Sequence, residues 1–198
     1  LTDRNTLEIH YQAQTDRTTV VNLSNHAYFN LSGNLRRDVL GHQLMLNADH
    51  YTPTDQQQLP TGELATVAHT PLDFRQPETL GARIEAEHEQ LRLGNGYDHN
   101  FVLNNHVSGN GDPPQLRLIA EVYEPRSGRV LRVHTDQPGV QLYTGNFLDG
   151  TVSGGGNNRR SRSVSLNPSG SGQVKPAAAR RRSYSPTLLR AICTLAAT

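Results

Sequence analysis

The residue with the clearest capacity for chemistry is His26, at the centre of Thr-Val-Val-Asn-Leu-Ser-Asn-His-Ala-Tyr-Phe-Asn-Leu, residues 19–31. Val20, Val21 and Leu23 give this run β-prone apolar character, yet Asn22, Ser24, Asn25, His26, Tyr28 and Asn30 load it with polar groups that a buried strand would have to satisfy. A histidine taken alone is ordinarily structural. One set among so many hydroxyl and amide groups is placed to exchange protons with a polar ligand, because an imidazole can give and regain a proton around neutral pH. Asp49, His50 and His134 also carry metal-ligating atoms, but none shows the close helical pairing of a zinc site, so no metal is expected.

If residues 19–31 form a strand, then Tyr28, two positions beyond His26, shares its face of the sheet. Further strands follow from period-two alternation. Thr6–Ala13 alternates Leu7, Ile9, Tyr11 and Ala13 against polar partners, and Gly41–Ala48 places Leu44 and Leu46 on one side. Tyr97–Leu103 and Val140–Thr144 read the same way, and Leu116–Tyr123 and Arg129–Thr135 form a hairpin through Glu124–Gly128. Pro53–Gly62 and Ser108–Pro114 are loops, and one helical turn closed by Gly81 is the only helix predicted. Many short strands with almost no helix indicate an all-β antiparallel sandwich.

Composition supports a globular chain with a change of character near residue 151. Hydrophobic residues make up 34% and charged residues 19%, and no apolar run is long enough to span a membrane. Residues 151–198 hold eight of the 19 basic residues and no acid, giving +8, whereas the preceding 150 hold 11 bases against 18 acids, giving −7. Cys193 is alone, which excludes an internal disulfide, and no signal peptide is visible in Leu-Thr-Asp-Arg-Asn-Thr; a cytoplasmic location is the default expectation.

Four collinear blocks carry a resemblance to a known family: Ser-Asn-His-Ala-Tyr-Phe-Asn-Leu-Ser-Gly (24–33), Asn-Ala-Asp-His-Tyr-Thr-Pro-Thr-Asp (47–55) with Leu-Pro-Thr-Gly-Glu (59–63), Gly-Tyr-Asp-His-Asn-Phe (96–101), and Gln-Pro-Gly-Val-Gln-Leu-Tyr-Thr-Gly-Asn-Phe-Leu-Asp-Gly (137–150). Together they resemble the aldose 1-epimerases, or galactose mutarotases. The resemblance covers residues 1–151 and corresponds to the C-terminal half of the family's domain. It implies a large antiparallel supersandwich, incomplete at the N-terminus, with a sugar-holding groove. It implies no cofactor and a small-molecule aldohexose as partner. Interconverting the α and β anomers needs a proton delivered to the ring oxygen and another taken from the C1 hydroxyl, so an acid and a base must face each other across the sugar. By resemblance His26 is the acid, Tyr28 lines the groove, Asp98 accepts hydrogen bonds from sugar hydroxyls and Gln141 contacts them through its amide.

The family's base is a glutamate in a Leu-Glu-Thr/Pro-Gln motif soon after the fourth block, and this sequence has no glutamate after Glu124. An acid without its base implies an inactive chain, with a non-catalytic carbohydrate-binding module as the alternative. Residues 152–198 read as a basic low-complexity tail, either disordered or frame-shifted. With third bases chosen within codon degeneracy, one shifted frame turns Ser165–Ser169 into Leu-Glu-Pro-Gln, and Leu189–Leu195 into Pro-Gly-Asp-Met-Tyr-Ala, which resembles the family's C-terminal motif. Read literally, the tracts at Arg159–Ser163 and Arg180–Ser183 suggest electrostatic binding of RNA, a reading disfavoured because no aromatic platform accompanies them. Oligomeric state is not legible.

Overall fold

Alternating burial defines the strands that build the molecule. The computed structural model describes residues 2–3, 5–17, 23–33, 37–104, 115–148, 164–169 and 187–197. Along the chain run β1 (Thr6–Ala13), β2 (Gln43–Leu46), β3 (Ala48–Thr52), β4 (Ala65–Thr66), β5 (Glu78–Thr79), α1 (Leu80–Arg83), α2 (Glu89–Gly94), β6 (Asp98–Leu103), β7 (Arg117–Glu124), β8 (Arg129–Thr135), β9 (Gly139–Tyr143), β10 (Ser165–Ser169) and β11 (Thr187–Ala197). They form two sheets with antiparallel pairing throughout, one in the order β1-β11-β8-β7-β2-β5 and the other β10-β9-β6-β3-β4. Leu44, Leu46, Val122, Leu131 and Val133 of the first sheet pack with Tyr51, Phe101, Val140, Leu142 and Leu166 of the second in one core. Each such side chain contributes roughly 1.5–3 kcal/mol on burial, so this shared core holds the sandwich together. The all-β antiparallel sandwich expected from the sequence is therefore the fold.

The differences lie where the pattern was short or mixed. Residues 23–30 form no strand: only Phe29 pairs, in an isolated antiparallel bridge with Val164, and residues 18–22 lie outside the described residues. The polar side chains that mark this run divert its backbone from a ladder; Asn25 and Asn30, for example, accept the N–H groups of Ala27 and Ser32. The helical turn begins at Leu80 rather than ending at Gly81, because Thr79 is still extended and pairs with Gln43. Helix α2 was not predicted; it is six residues long and is closed by Asn95 in the left-handed region, with the Gly96 N–H reaching Leu91 O at 2.9 Å. The loop at 108–114 and both arginine tracts lie outside the described residues.

Residues 152–198, expected as a disordered or frame-shifted tail, supply β10 and β11. β11 inserts between β1 and β8, so β1 joins its sheet only through it. The arginine content dominated the composition, while Leu188, Leu189, Ile192 and Leu195 give the local apolar character that a central strand needs.

Gly96 joins α2 to β6 with φ at +127°, and a Cβ there would come within 2.5 Å of the Asn146 side-chain oxygen. Asn146 in turn donates to Gly94 O and Tyr97 O and accepts from Thr144 Oγ1, tying the start of β6 to the end of β9. Gly96→Ala is expected to lower unfolding stability by about 1–3 kcal/mol. Gly41→Ala, where a Cβ would meet nothing within 4 Å, serves as the near-neutral control. Urea denaturation of the two variants measures the difference.

Candidate active site

Because strands β6, β9 and β10 alternate, every second residue leaves the core and faces outward on the five-stranded sheet. His99, Phe101, Val140, Leu142 and Leu166 point inward, so Asp98 and Asn100, Gln141 and Tyr143, and Ser165 and Asn167 share the outer face. The register sets them in two rows, Asp98–Tyr143–Ser165 and Asn100–Gln141–Asn167. The Gln141 amide donates from Nε2 to Asp98 Oδ1 at 2.8 Å, across one diagonal of this grid.

Residues 23–30 lie against the free edge of β10. Phe29 and Val164 exchange backbone bonds of 2.8 and 3.0 Å. Ser165 Oγ donates to Ala27 O at 2.8 Å, and Ser24 Oγ reaches Pro168 O at 3.4 Å. Ser165 and Asn167 are buried beneath this segment although they occupy the outer face. Exposed residues alternate with half-buried ones from Leu23 to Tyr28, so His26 and Tyr28 both turn outward. Their rings are 5.0 Å apart between centroids, and the Tyr28 ring meets Tyr143 edge-on at 6.2 Å.

All four residues singled out from the sequence, His26, Tyr28, Asp98 and Gln141, are therefore brought to one outer face. Burial raises the Asp98 carboxyl above the usual carboxylate range, against the opposing pull of the Gln141 amide and of positive charge on His26. Tyr28 is pushed up as a phenol, first by partial burial, then by Tyr143 and Asp98. The ring contact of Tyr28 with Tyr143, the effect of Asp98 on Tyr28 and that of His26 on Asp98 link these side chains into one electrostatic unit. Such a unit presents a carboxylate acceptor, an amide, two phenols and an imidazole, the mixture of donors and acceptors that hydroxyl-rich ligands require.

Tyr143 was absent from the sequence-based set. The signal was available: it stands two residues beyond Gln141 on one strand, the same spacing that linked Tyr28 to His26. Among the described residues, no group of three or more His, Cys, Asp or Glu side chains could hold a metal ion, and no helix is long and apolar enough to cross a membrane.

His99 lies behind the site, 1% exposed, and its Nδ1 accepts the Asp98 N–H at 3.1 Å. Burial drives its pKa down to about 4. A histidine depressed in the folded state contributes stability that is complete above its unfolded pKa of about 6.5 and is lost as the pH falls below it. Between pH 6.5 and 4 that loss amounts to about 3 kcal/mol. Urea midpoints of the unmutated chain should therefore fall steeply over this window, and His99→Gln should flatten the slope.

Comparisons with known proteins bear on this geometry. The aldose 1-epimerase family model matches residues 1–175. Galactose mutarotase from Bos taurus is 44% identical over 152 residues, covering 77% of this chain and 41% of that protein. Galactose mutarotase from Rattus norvegicus is 39% identical over 193 residues, covering 95% and 51%. Among solved structures, galactose 1-epimerase from Lactobacillus acidophilus NCFM superposes with a TM-score of 0.77 at 26% identity, over 98% of this chain and 54% of that one. The chain thus spans about half the length of the curated relatives it matches.

Proposed function

The chain belongs to the aldose 1-epimerase family, and from that premise we propose that the outer face of its five-stranded sheet binds an unphosphorylated aldohexose such as glucose or galactose. The observation that carries this reading is the convergence of His26, Tyr28, Asp98 and Gln141 on one face. In the proposed roles Asp98 accepts hydrogen bonds from sugar hydroxyls, the Gln141 amide both orients that carboxylate and contacts the sugar, and Tyr28 forms a wall. His26 has the role of the acid that, in the family's complete domain, protonates the ring oxygen as the pyranose opens. Among the described residues no basic cluster is recorded in contact with His26 or Asp98, which favours a neutral sugar over a hexose phosphate.

The chain is proposed to correspond to the C-terminal half of the family's domain and to be inactive by itself. Ring opening needs the C1 hydroxyl deprotonated as the ring oxygen is protonated, and the sequence offers no glutamate after Glu124 for that step. Sugar binding without anomerisation is the expected behaviour. Polarimetry on freshly dissolved α-galactose should show the spontaneous rate unchanged by the protein; acceleration would overturn the proposed inactivity. Titration of galactose followed by NMR should show saturable binding that Asp98→Asn weakens about tenfold or more, the scale of a lost charged hydrogen bond.

One observation favours a frame shift as the origin of this deficiency. The residues that one shifted frame would convert to Leu-Glu-Pro-Gln, Ser165–Ser169, form β10, and Asn167 there stands opposite Gln141 on the outer face. A glutamate on that strand would sit beside the proposed sugar contacts. Resequencing the DNA between the codons for Gly150 and Ser169, with its transcript, is expected to find a glutamate codon in the shifted frame at Leu166–Asn167. Codons incompatible with it would end the idea.

A further inference from the structure

We propose that Tyr143 is a sugar-binding residue whose phenol donates a hydrogen bond to the same hydroxyl that Asp98 accepts from, a role that rests on the sugar-site reading above and adds to it. The site is short of hydrogen-bond donors beside Asp98. Asp98 as a carboxylate can only accept, and one amide hydrogen of Gln141 is already committed to it at 2.8 Å. A sugar hydroxyl that donates to Asp98 still carries lone pairs, and those pairs want a donor close to the carboxylate.

Tyr143 stands at that place. It is the cross-strand partner of Asp98 in the β6–β9 register and of Ser165 in the β9–β10 register, so it occupies the middle of its row on the outer face. Directly opposed side chains in such a pair leave the backbone with Cβ atoms about 4.5–5.5 Å apart. Its ring meets that of Tyr28 edge-on. Its oxygen accepts the backbone N–H of Phe147 at 3.1 Å. A phenol has one hydrogen to donate and two lone pairs; with one lone pair engaged by Phe147, the oxygen is anchored and the hydrogen remains available as a donor. Tyr143 thus touches Tyr28 on one side and stands opposite Asp98 on the other, and Asp98 also acts on the Tyr28 phenol.

The bond to Phe147 also gives Tyr143 a structural role in holding the turn at 145–148, and the test separates the two. Galactose and its series of monodeoxy analogues are titrated by NMR into the full chain, into Tyr143→Phe and into Asp98→Asn, with circular dichroism confirming the fold. Tyr143→Phe should weaken galactose binding roughly three- to tenfold, the worth of a neutral hydrogen bond. The same substitution should cost nothing for the one analogue lacking the shared hydroxyl, and Asp98→Asn should lose its effect on that same analogue. An equal loss across all analogues, or no loss, would overturn the proposal while leaving the Asp98 result to support the sugar site. Failure of the unmutated chain to bind any of the sugars would overturn the sugar-site reading and this role with it.

Discussion

The site depends on how a segment without a ladder of its own is held against the edge of a sheet. His26 and Tyr28 sit on residues 23–30, which are tied to the rest of the protein by the Phe29–Val164 bridge, the Ser165 hydroxyl on Ala27 O, the Ser24 hydroxyl near Pro168 O, the Tyr11 hydroxyl on Ser24 O and the Asn30 amide on Arg37 O. At its far end the segment is gripped again. The Leu31 N–H donates to His42 Nε2, and Leu31 O accepts from Ser127 Oγ and Arg129 Nη1 at the β7–β8 turn. That turn is itself fixed by buried Glu124, which takes the N–H groups of Arg126 and Ser127 and lies 3.5 Å from Arg37. Burial alone would raise the Glu124 carboxyl, but the Ser127 and Arg126 bonds and the Arg37 charge outweigh it and hold it below the ordinary range. A buried carboxylate stays charged here because its partners satisfy it.

Two kinds of support therefore meet in one place. Asp98, Gln141 and Tyr143 come from paired strands whose inward neighbours are fully buried, so their positions follow from the core. His26 and Tyr28 are positioned by a handful of individual hydrogen bonds, each worth about 1 kcal/mol net, and by ring contacts. The first group is set by the cooperative packing of two sheets, and the second by local polar contacts that can open without unfolding the sandwich. The proposed recognition groups thus lie on the rigid side, and the proposed proton donor on the softer one.

Legibility in the sequence followed the same division. The hairpin β7–β8 and strands β1, β2, β6 and β9 were readable because alternation extends over several residues and one face of each meets the core. Helix α2 escaped because six residues are too few to display a helical period, and its buried positions include Gln90 and Gly94 as well as Leu91. The His26 run was read as a strand from Val20, Val21 and Leu23, yet its polar residues bond locally and leave one bridge. β10 and β11 were hidden by averaging: the arginines of residues 152–198 set the composition, while β11 carries Leu188, Leu189, Ile192 and Leu195, and β10, Ser-Leu-Asn-Pro-Ser, is too short and polar to stand out. Residue types and collinear blocks pointed to His26, Tyr28, Asp98 and Gln141. Their gathering into one electrostatic unit depends on the cross-strand register that a linear reading does not supply, whereas Tyr143 was within reach of the two-residue spacing from Gln141.

The edge of β10 has a further consequence, for how the molecule behaves among its own copies. Backbone groups on a strand point alternately toward and away from the neighbouring strand, so positions 164, 166 and 168 direct theirs away from β9. At Val164 both groups are engaged by Phe29, and at position 168 a proline has no N–H to offer while its carbonyl faces the Ser24 hydroxyl. A sheet edge obstructed at two of three outward positions is a poor template for a foreign strand. The segment that presents His26 thus also acts as a selvedge, finishing the fabric of the sheet so that it does not unravel into, or knit onto, another chain.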